Sequence, residues 1–374
     1  RAGEARPPAR AGAHAPGRRA PTPQAKKPPP AGARHDEPAR RKAPPAAKTA
    51  GRSRAAAATA SKTAARAQAG TAAAPQAAGS FADRPEVAAF VREMSERHGF
   101  DERRLSDAFA RVHRNDAVLR LIAPPAPGFK RSWEAYRNRF LDPLRIREGL
   151  RFWQEHEAAL RRAHEAWRVP PEIVVAIIGV ETIYGRITGD FRVLEALATL
   201  AFDYPRRADF FRSELEQFLL HARDQGHDPL ATRGSFAGAI GLPQFMPGSI
   251  RRYATDFDGD GRIDLAASPV DAIGSVARFL AEHGWVGGEP THFDATIADA
   301  SRLAPLIEAG IEPRFTAAQL AEHGVGSPQA VPPEMLLALI DLPYADKPAS
   351  YYLGPRNFYV ITRYNRSSFH SMAG

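Results

Sequence analysis

Cysteine is absent from all 374 residues. That excludes disulfides, thiolate zinc sites and a lipid-modified cysteine within this chain, and it leaves the redox compartment open. Long apolar runs are missing too: none approaches the roughly 18 residues that a membrane-spanning helix needs. The chain begins with Arg1 and not Met, so a leader removed in processing stays an open alternative. Aromatic residues are absent from the whole of residues 1–80.

That aromatic-free stretch is made mostly of Ala, Pro, Arg, Lys, Gly and Thr, with no apolar period. It holds 16 Lys+Arg against 3 Asp+Glu, a net of +13. Of the 51 basic and 42 acidic residues in the chain, 35 and 39 remain for residues 81–374, a net of −4. The overall charge of +9 therefore describes the arm alone. Such a segment buries too little apolar surface to offset its ordering entropy, and it reads as a disordered basic arm. Two roles stay open for it: a solvated spacer, or weak attraction to anionic polymers or lipid. Without interleaved aromatics, specific nucleic-acid binding is not expected.

From Phe81 onward the texture is that of a mainly α protein. Val87, Phe90, Val91 and Met94 recur at helical spacing in Pro85–His98, with Gly99 as the stop. Asp101 is placed to cap a second helix carrying Leu105, Phe109 and Val112. Prolines at 124, 125 and 127 break the chain, and Ser132–Phe140 reads as a short aromatic helix. One long helix is expected from Pro143 to about Trp167, with Leu150, Trp153, Leu160 and His164 on one face. Helices are also expected over Phe191–Ala201, Asp209–Gln225 and from Ser268 onward through Ile273, Val276, Phe279 and Leu280. From about 286 to 355 turn residues multiply, and a small mixed segment is expected, with a short helix at 316–323. Glu334–Asp341, Ser350–Leu353 and Asn357–Thr362 read as candidate strands.

The stretch Pro170–Gly185 organises the rest. Paired prolines suit a first helical turn, where the missing N–H donors have no intrahelical partner anyway. Ile173 to Val180 then run eight residues without a polar side chain, and Glu181 follows, with Gly185 as the expected stop. A carboxyl there meets the negative end of the helix dipole beside an apolar wall. Both disfavour its ionised form, which is what a general acid needs. The plainer alternative is a glutamate that surfaces as a core helix ends.

Downstream, Ser235–Ser249 combines small residues with Ser235 and Gln244. Asp256, Asp258 and Asp260 then occupy positions 1, 3 and 5 of an EF-hand-like pattern, with Gly261 at 6, the carbonyl of Arg262 at 7 and Asp264 at 9. Ala267 stands at position 12, where a bidentate glutamate is usual. Either Asp271 closes a longer loop or the site is weak. Oxygen donors without cysteine suit calcium, in a structural role.

Gly179-Val-Glu181-Thr-Ile-Tyr-Gly185, Asp203-Tyr-Pro-Arg-Arg207, Ala237–Pro247, Asp256–Leu265 and Tyr359–Asn365 occur in this order, and together they resemble the membrane-bound lytic murein transglycosylase B family. The resemblance covers about residues 81–374. It implies a lysozyme-like catalytic core (about 169–285, with the loop at 256–271), a flanking helical part (about 81–168), a small β-containing segment and a return segment at 356–374. It implies cleavage of the β-1,4 bond between N-acetylmuramic acid and N-acetylglucosamine, with Glu181 as acid and then base and a 1,6-anhydro product. No organic cofactor is implied, and a monomer in the periplasm or cell envelope is expected. By the same resemblance Tyr136, Ser235, Gln244, Phe279, Tyr364 and Asn365 contact sugars, and Arg206 and Arg207 face anionic groups of peptidoglycan glycan strands.

Three departures stand out. Phe279 replaces an expected tyrosine, His370 stands where an aromatic hydroxyl is usual, and the chain closes at Gly374 without the family's usual last helix. Two rival readings are a hydrolytic muramidase on the same fold and a peptidoglycan-binding scaffold without activity.

Overall fold

The computed structural model describes residues 80–125, residue 128 and residues 131–373. Expectations for residues 1–79 lie outside the described residues. Helices dominate: α1 (Pro85–His98), α2 (Glu102–Ala110), α3 (Asp116–Ile122), α4 (Trp133–Arg137), α5 (Pro143–Glu155), α6 (Glu157–Trp167), α7 (Pro171–Thr182), α8 (Val193–Asp203), α9 (Ala208–Asp224), α10 (Pro247–Tyr253), α11 (Pro269–Glu282), α12 (Ala304–Glu308), α13 (Ala317–Glu322), α14 (Arg356–Tyr364) and α15 (Ser368–Ala373). Their ends follow local chemistry. Asp101 accepts the Arg104 N–H at 2.8 Å, Ser268 accepts the Asp271 N–H at 3.1 Å, and Thr316 with Gln319 forms a capping box.

One apolar cluster runs from Phe81 through α1–α3 and α5–α11 and takes in Val360 and Ile361 of α14. At its centre α7 is apolar on nearly every face, the pattern of a helix surrounded by others. Val174, Ile177 and Ile178 are buried there, each stabilising the fold by about 1.5–3 kcal/mol. Helices α5, α6 and α11 pack around it.

The β part is small. Strands β1 (Phe191–Arg192) and β2 (Arg233–Gly234) pair antiparallel beside α8. Further on, β3 (Phe293–Asp294), β7 (Ser350–Gly354) and β6 (Ala338–Leu342) form one antiparallel sheet in that order, and β4 (Thr296–Ile297) pairs with β5 (Val325–Gly326). A second cluster lies under the sheet around Leu306, Leu320, Leu339 and Leu353. A third ties Trp133 of α4 and Ile340 of β6 to Phe358 of α14 and Phe369 of α15.

Three local expectations change. The helix expected over Pro143–Trp167 breaks at His156 (φ −119°), which resets the phase between α5 and α6. Phe152 and Gly149 therefore face inward and Leu150 is 62% exposed. Asn357–Thr362 is helical. Pro355 opens α14, Phe358 and Ile361 face inward, and Asn357 clamps the turn below by donating to the carbonyls of Val286 and Glu289 at 2.8 Å. Helix α7 stops at Thr182, with Ile183 already left-handed, and not at Gly185. The last described residues, Ser368–Ala373, form α15, which packs on α4 and β6.

Phe257 anchors the acidic loop between helices. Its ring lies 5.2 Å from that of Trp167, under the Arg162 guanidinium at 4.1 Å. A Cβ on Gly274 of α11 would fall inside contact distance of that ring. Gly274→Ala is therefore expected to force Phe257 out, destabilising the protein by about 1–3 kcal/mol. Chemical denaturation checks this, and an unchanged midpoint would contradict the packing.

Candidate active site

Three consecutive residues with positive φ end α7: Ile183 (51°), Tyr184 (57°) and Gly185 (86°). A β-branched residue in this region is disfavoured by about 1–2 kcal/mol, and the surroundings hold it there. Arg145 donates from Nε to the Gly179 carbonyl at 2.7 Å, occupying an acceptor of the last turn. Thr182 donates its hydroxyl to the Leu242 carbonyl at 2.8 Å and accepts the Gly185 N–H at 3.0 Å. The Tyr184 hydroxyl fits only because positions 149 and 179 carry no Cβ.

Glu181 projects from this braced end with a side chain only 18% exposed. Its Oε1 lies 2.8 Å from Nε2 of His370, whose side chain is 4% exposed. Two tyrosines are near enough to feel its charge. Burial first, and the Glu181 charge second, push the Tyr364 hydroxyl well above its ordinary value; the same two causes raise Tyr136. Both phenols thus keep their protons. Tyr364 donates its proton to the Pro243 carbonyl, and Tyr136 stacks beside Trp133 with Phe369 edge-on at 5.4 Å.

Gln244 has φ 50° and spends both amide hydrogens on backbone, on the Gly241 carbonyl of its own loop (2.9 Å) and on the Thr188 carbonyl of the segment after α7 (3.1 Å). The Ser235 oxygen accepts from the N–H groups of Ala237 and Ala239, at 3.2 and 3.0 Å. A groove of about 1190 Å³ runs past Gln244, Phe279, Tyr364, Asn365 and Arg207. Phe279 is its floor. It is 5% exposed, wedged between Phe245, Tyr253, His283 and Tyr364, with centroids 4.0–5.5 Å away.

In the acidic loop, Asp256, Asp258 and Asp260 each bring a carboxylate oxygen within 4.8 Å of the others. Asp256 also accepts the N–H groups of Gly259 and Gly261, which curl the backbone around the cluster. Three converging hard oxygen donors fit a calcium ion.

Residues 82–373 match the family model described as the transglycosylase SLT domain. The chain belongs to the lytic murein transglycosylase B family. It is 44% identical over 306 residues to membrane-bound lytic murein transglycosylase B of Escherichia coli (strain K12), covering 80% of this chain and 83% of that one. The E. coli lytic transglycosylase Slt35, solved in complex with calcium, is 44% identical with a TM-score of 0.72, over 80% of this chain and 93% of that one. Pseudomonas aeruginosa SltB3, solved with NAG-anhNAM-pentapeptide, is 31% identical with a TM-score of 0.65, over 77% of this chain and 76% of that one.

For a lytic transglycosylase, the residues expected from sequence divide into groups. Tyr136 and Tyr364 stand near Glu181, which meets His370, and Tyr364 also belongs to the groove that holds Gln244, Phe279, Asn365 and Arg207. Arg207 lies flat on Phe210 at 4.1 Å, whereas Arg206 is exposed and outside the groove lining. Ser235 braces the neighbouring turn and does not line the groove. Asp271 departs most from expectation. It is 1% exposed, and its oxygens accept the N–H groups of Phe257 (2.7 Å), Asp258 (3.3 Å) and Asp264 (2.8 Å). Those bonds brace the loop from behind, and Asp271 is not part of the cluster of Asp256, Asp258 and Asp260.

One groove residue escaped the sequence reading, and the role of another was not seen. Glu214 of α9 lines the groove and accepts the Gly248 N–H at 2.8 Å; burial, only partly offset by that bond and by Arg207 and Arg252, raises its pKa. An isolated glutamate on an amphipathic helix carries no signal of this. His370 was visible only as an unusual residue. Its contact with Glu181 spans 189 positions.

Tyr364→Phe removes the one donor described on the buried Pro243 carbonyl. It is expected to destabilise the protein by about 1–3 kcal/mol and to lower turnover by loosening the Gln244 loop. Denaturation and turnover measured together check this, and a neutral effect on both would contradict it.

Proposed function

We propose that this protein cleaves the β-1,4 bond between N-acetylmuramic acid and N-acetylglucosamine in peptidoglycan, with Glu181 as the acid–base residue. The observation that carries this reading is the placement of Glu181. It is a largely shielded carboxyl on a braced helix end, its charge felt by Tyr136 and by Tyr364, and Tyr364 in turn lines the groove. In the first half of the reaction its proton passes to the glycosidic oxygen as that bond breaks. The N-acetyl oxygen of the substrate stabilises the oxocarbenium-like charge, so a second catalytic carboxylate is unnecessary. In the second half the carboxylate takes the proton of the muramoyl C6 hydroxyl, whose oxygen closes the 1,6-anhydro ring. SltB3, solved with NAG-anhNAM-pentapeptide and with NAG-NAM-pentapeptide, accommodates both the anhydro and the uncyclised sugar.

Around the sugars, Tyr136, Gln244, Tyr364 and Asn365 supply hydrogen bonds and edges, and Arg207 attracts anionic lactyl or peptide groups. Arg206 and Ser235 take supporting places. The site of action follows from the substrate: the cell envelope. Among the described residues no helix is long and apolar enough to cross a membrane.

Glu181→Gln is expected to lower turnover of purified murein by at least about 10²-fold while folding and glycan binding persist. Residual activity within tenfold of wild type would remove Glu181 from this role. Mass spectrometry of the wild-type products discriminates the chemistry, since an anhydro product is one water lighter than a hydrolytic one.

We further propose that Asp256, Asp258 and Asp260, with Asp264 and the Arg262 carbonyl, hold calcium, and that Asp271 shapes the loop behind them. The ion would offset carboxylate repulsion and stiffen the turn between the Gln244 segment and α11. Calcium at about 100 times its dissociation constant is expected to stabilise the protein by about 2.7 kcal/mol. Asp258→Ala should abolish that gain. Melting curves that chelator and calcium leave unchanged would refute the site.

A further inference from the structure

We propose that His370 is a positioning residue for the acid–base carboxylate: it donates from Nε2 to Oε1 of Glu181 and so keeps the transferred proton on Oε2. The inference rests on the assignment of Glu181 made above.

The geometry carries it. His370 sits on α15, which packs on α4 and β6, and its neighbour Phe369 is fixed against Trp133 and Tyr136. The backbone N–H of His370 bonds to Ser367 Oγ at 3.4 Å, so the imidazole is presented from a seated helix and not from a loose tail. Nε2 meets Oε1 at 2.8 Å, while Nδ1 is buried without a hydrogen-bond partner among the described residues.

That unpartnered nitrogen assigns the tautomer. If the ring hydrogen were on Nδ1, a buried N–H would be left unpaired, and Nε2 would have to accept a proton from the carboxyl. If it is on Nε2, only an acceptor lone pair goes unused, and unpaired buried donors are the rarer of the two. With hydrogen on Nε2, Oε1 is committed as an acceptor. The acid form of Glu181 then carries its proton on Oε2, and after the proton leaves the same hydrogen bond remains on the carboxylate. One oxygen therefore gives the proton to the glycosidic oxygen and takes the next from the C6 hydroxyl. The carboxyl need not rotate between the two halves.

Three substitutions separate this from simple packing. H370Q reaches to the position of Nε2 with an amide N–H. H370N is equally polar but ends near Nδ1, short of Glu181. H370L fills the space without any donor. Expected are a kcat within about threefold of wild type for H370Q and about 10- to 100-fold lower for H370N and H370L, with KM within twofold throughout. Equal kcat loss in all three, tracking a fall in melting temperature, would mean packing only and overturn the proposal, as would H370L with wild-type kcat. Nitrogen-15 NMR of the imidazole in the wild-type protein gives a second readout that needs no variant. A ring hydrogen on Nε2 is expected, and one on Nδ1 overturns the proposal. If wild type yields no anhydro product, or Glu181→Gln stays active, the functional reading fails instead. Anhydro product with an inactive Glu181→Gln and an unaffected H370L refutes only the role of His370.

Discussion

The termination of α7 is the constraint on which the rest of the structure depends. An apolar helix surrounded by α5, α6 and α11 must stop where its first polar residue near the cleft appears, and it stops by turning Ile183, Tyr184 and Gly185 left-handed in succession. That stop leaves carbonyls without partners and places an isoleucine in a disfavoured conformation. Residues from elsewhere hold this end in place: Arg145 adds a second donor to the Gly179 carbonyl, the Thr182 hydroxyl donates to the Leu242 carbonyl, and the bare faces of Gly149 and Gly179 admit the Tyr184 hydroxyl. The carboxyl of Glu181 is held still because the backbone beneath it has no freedom left.

From that point supports radiate outward. Thr182 fixes the Leu242 carbonyl, and the Leu242 N–H in turn bonds the Leu265 carbonyl at 2.8 Å, which reaches the acidic loop. Tyr364 of α14 closes the same loop from the other side at Pro243. The acidic loop is pinned to α6 and α11 by Phe257 and braced internally by Asp271. Stiffening the loop with an ion would therefore be felt at the groove wall, although no ligand of the ion would touch a sugar. The chain's last helix completes the other side, bringing His370 to Glu181 and Phe369 to Tyr136.

Much of the fold was legible in the sequence because it was written locally. Asp101, Ser268 and Thr316 are caps whose partners lie three residues away, and the apolar stripes of α1, α2 and α11 repeat within a few turns. Glu181 could be singled out because its significance comes from the eight apolar residues before it. The misjudged places share a cause. The break at His156 changed which residues of α5 face inward, and Asn357–Thr362 became a helix because Phe358 and Ile361 face the core while Asn357 is committed to a distant turn. Apolar runs of that length satisfy strand and helix alike until their neighbours are known.

The sequence by itself determined the helical class, the glutamate on its apolar helix and the spacing of the acidic loop, since each follows from residues a few positions apart. Only the tertiary structure decided what those pieces do together. It seated Glu214 in the groove, set the buried Asp271 to brace the acidic loop, left Arg206 outside while Arg207 lines the wall, and set His370 against a carboxyl 189 positions away. The physical reason is one of range. Capping, periodicity and turn chemistry act within a turn or two of the chain, whereas which oxygen of a carboxyl keeps its proton depends on groups that only folding brings within 3 Å or so.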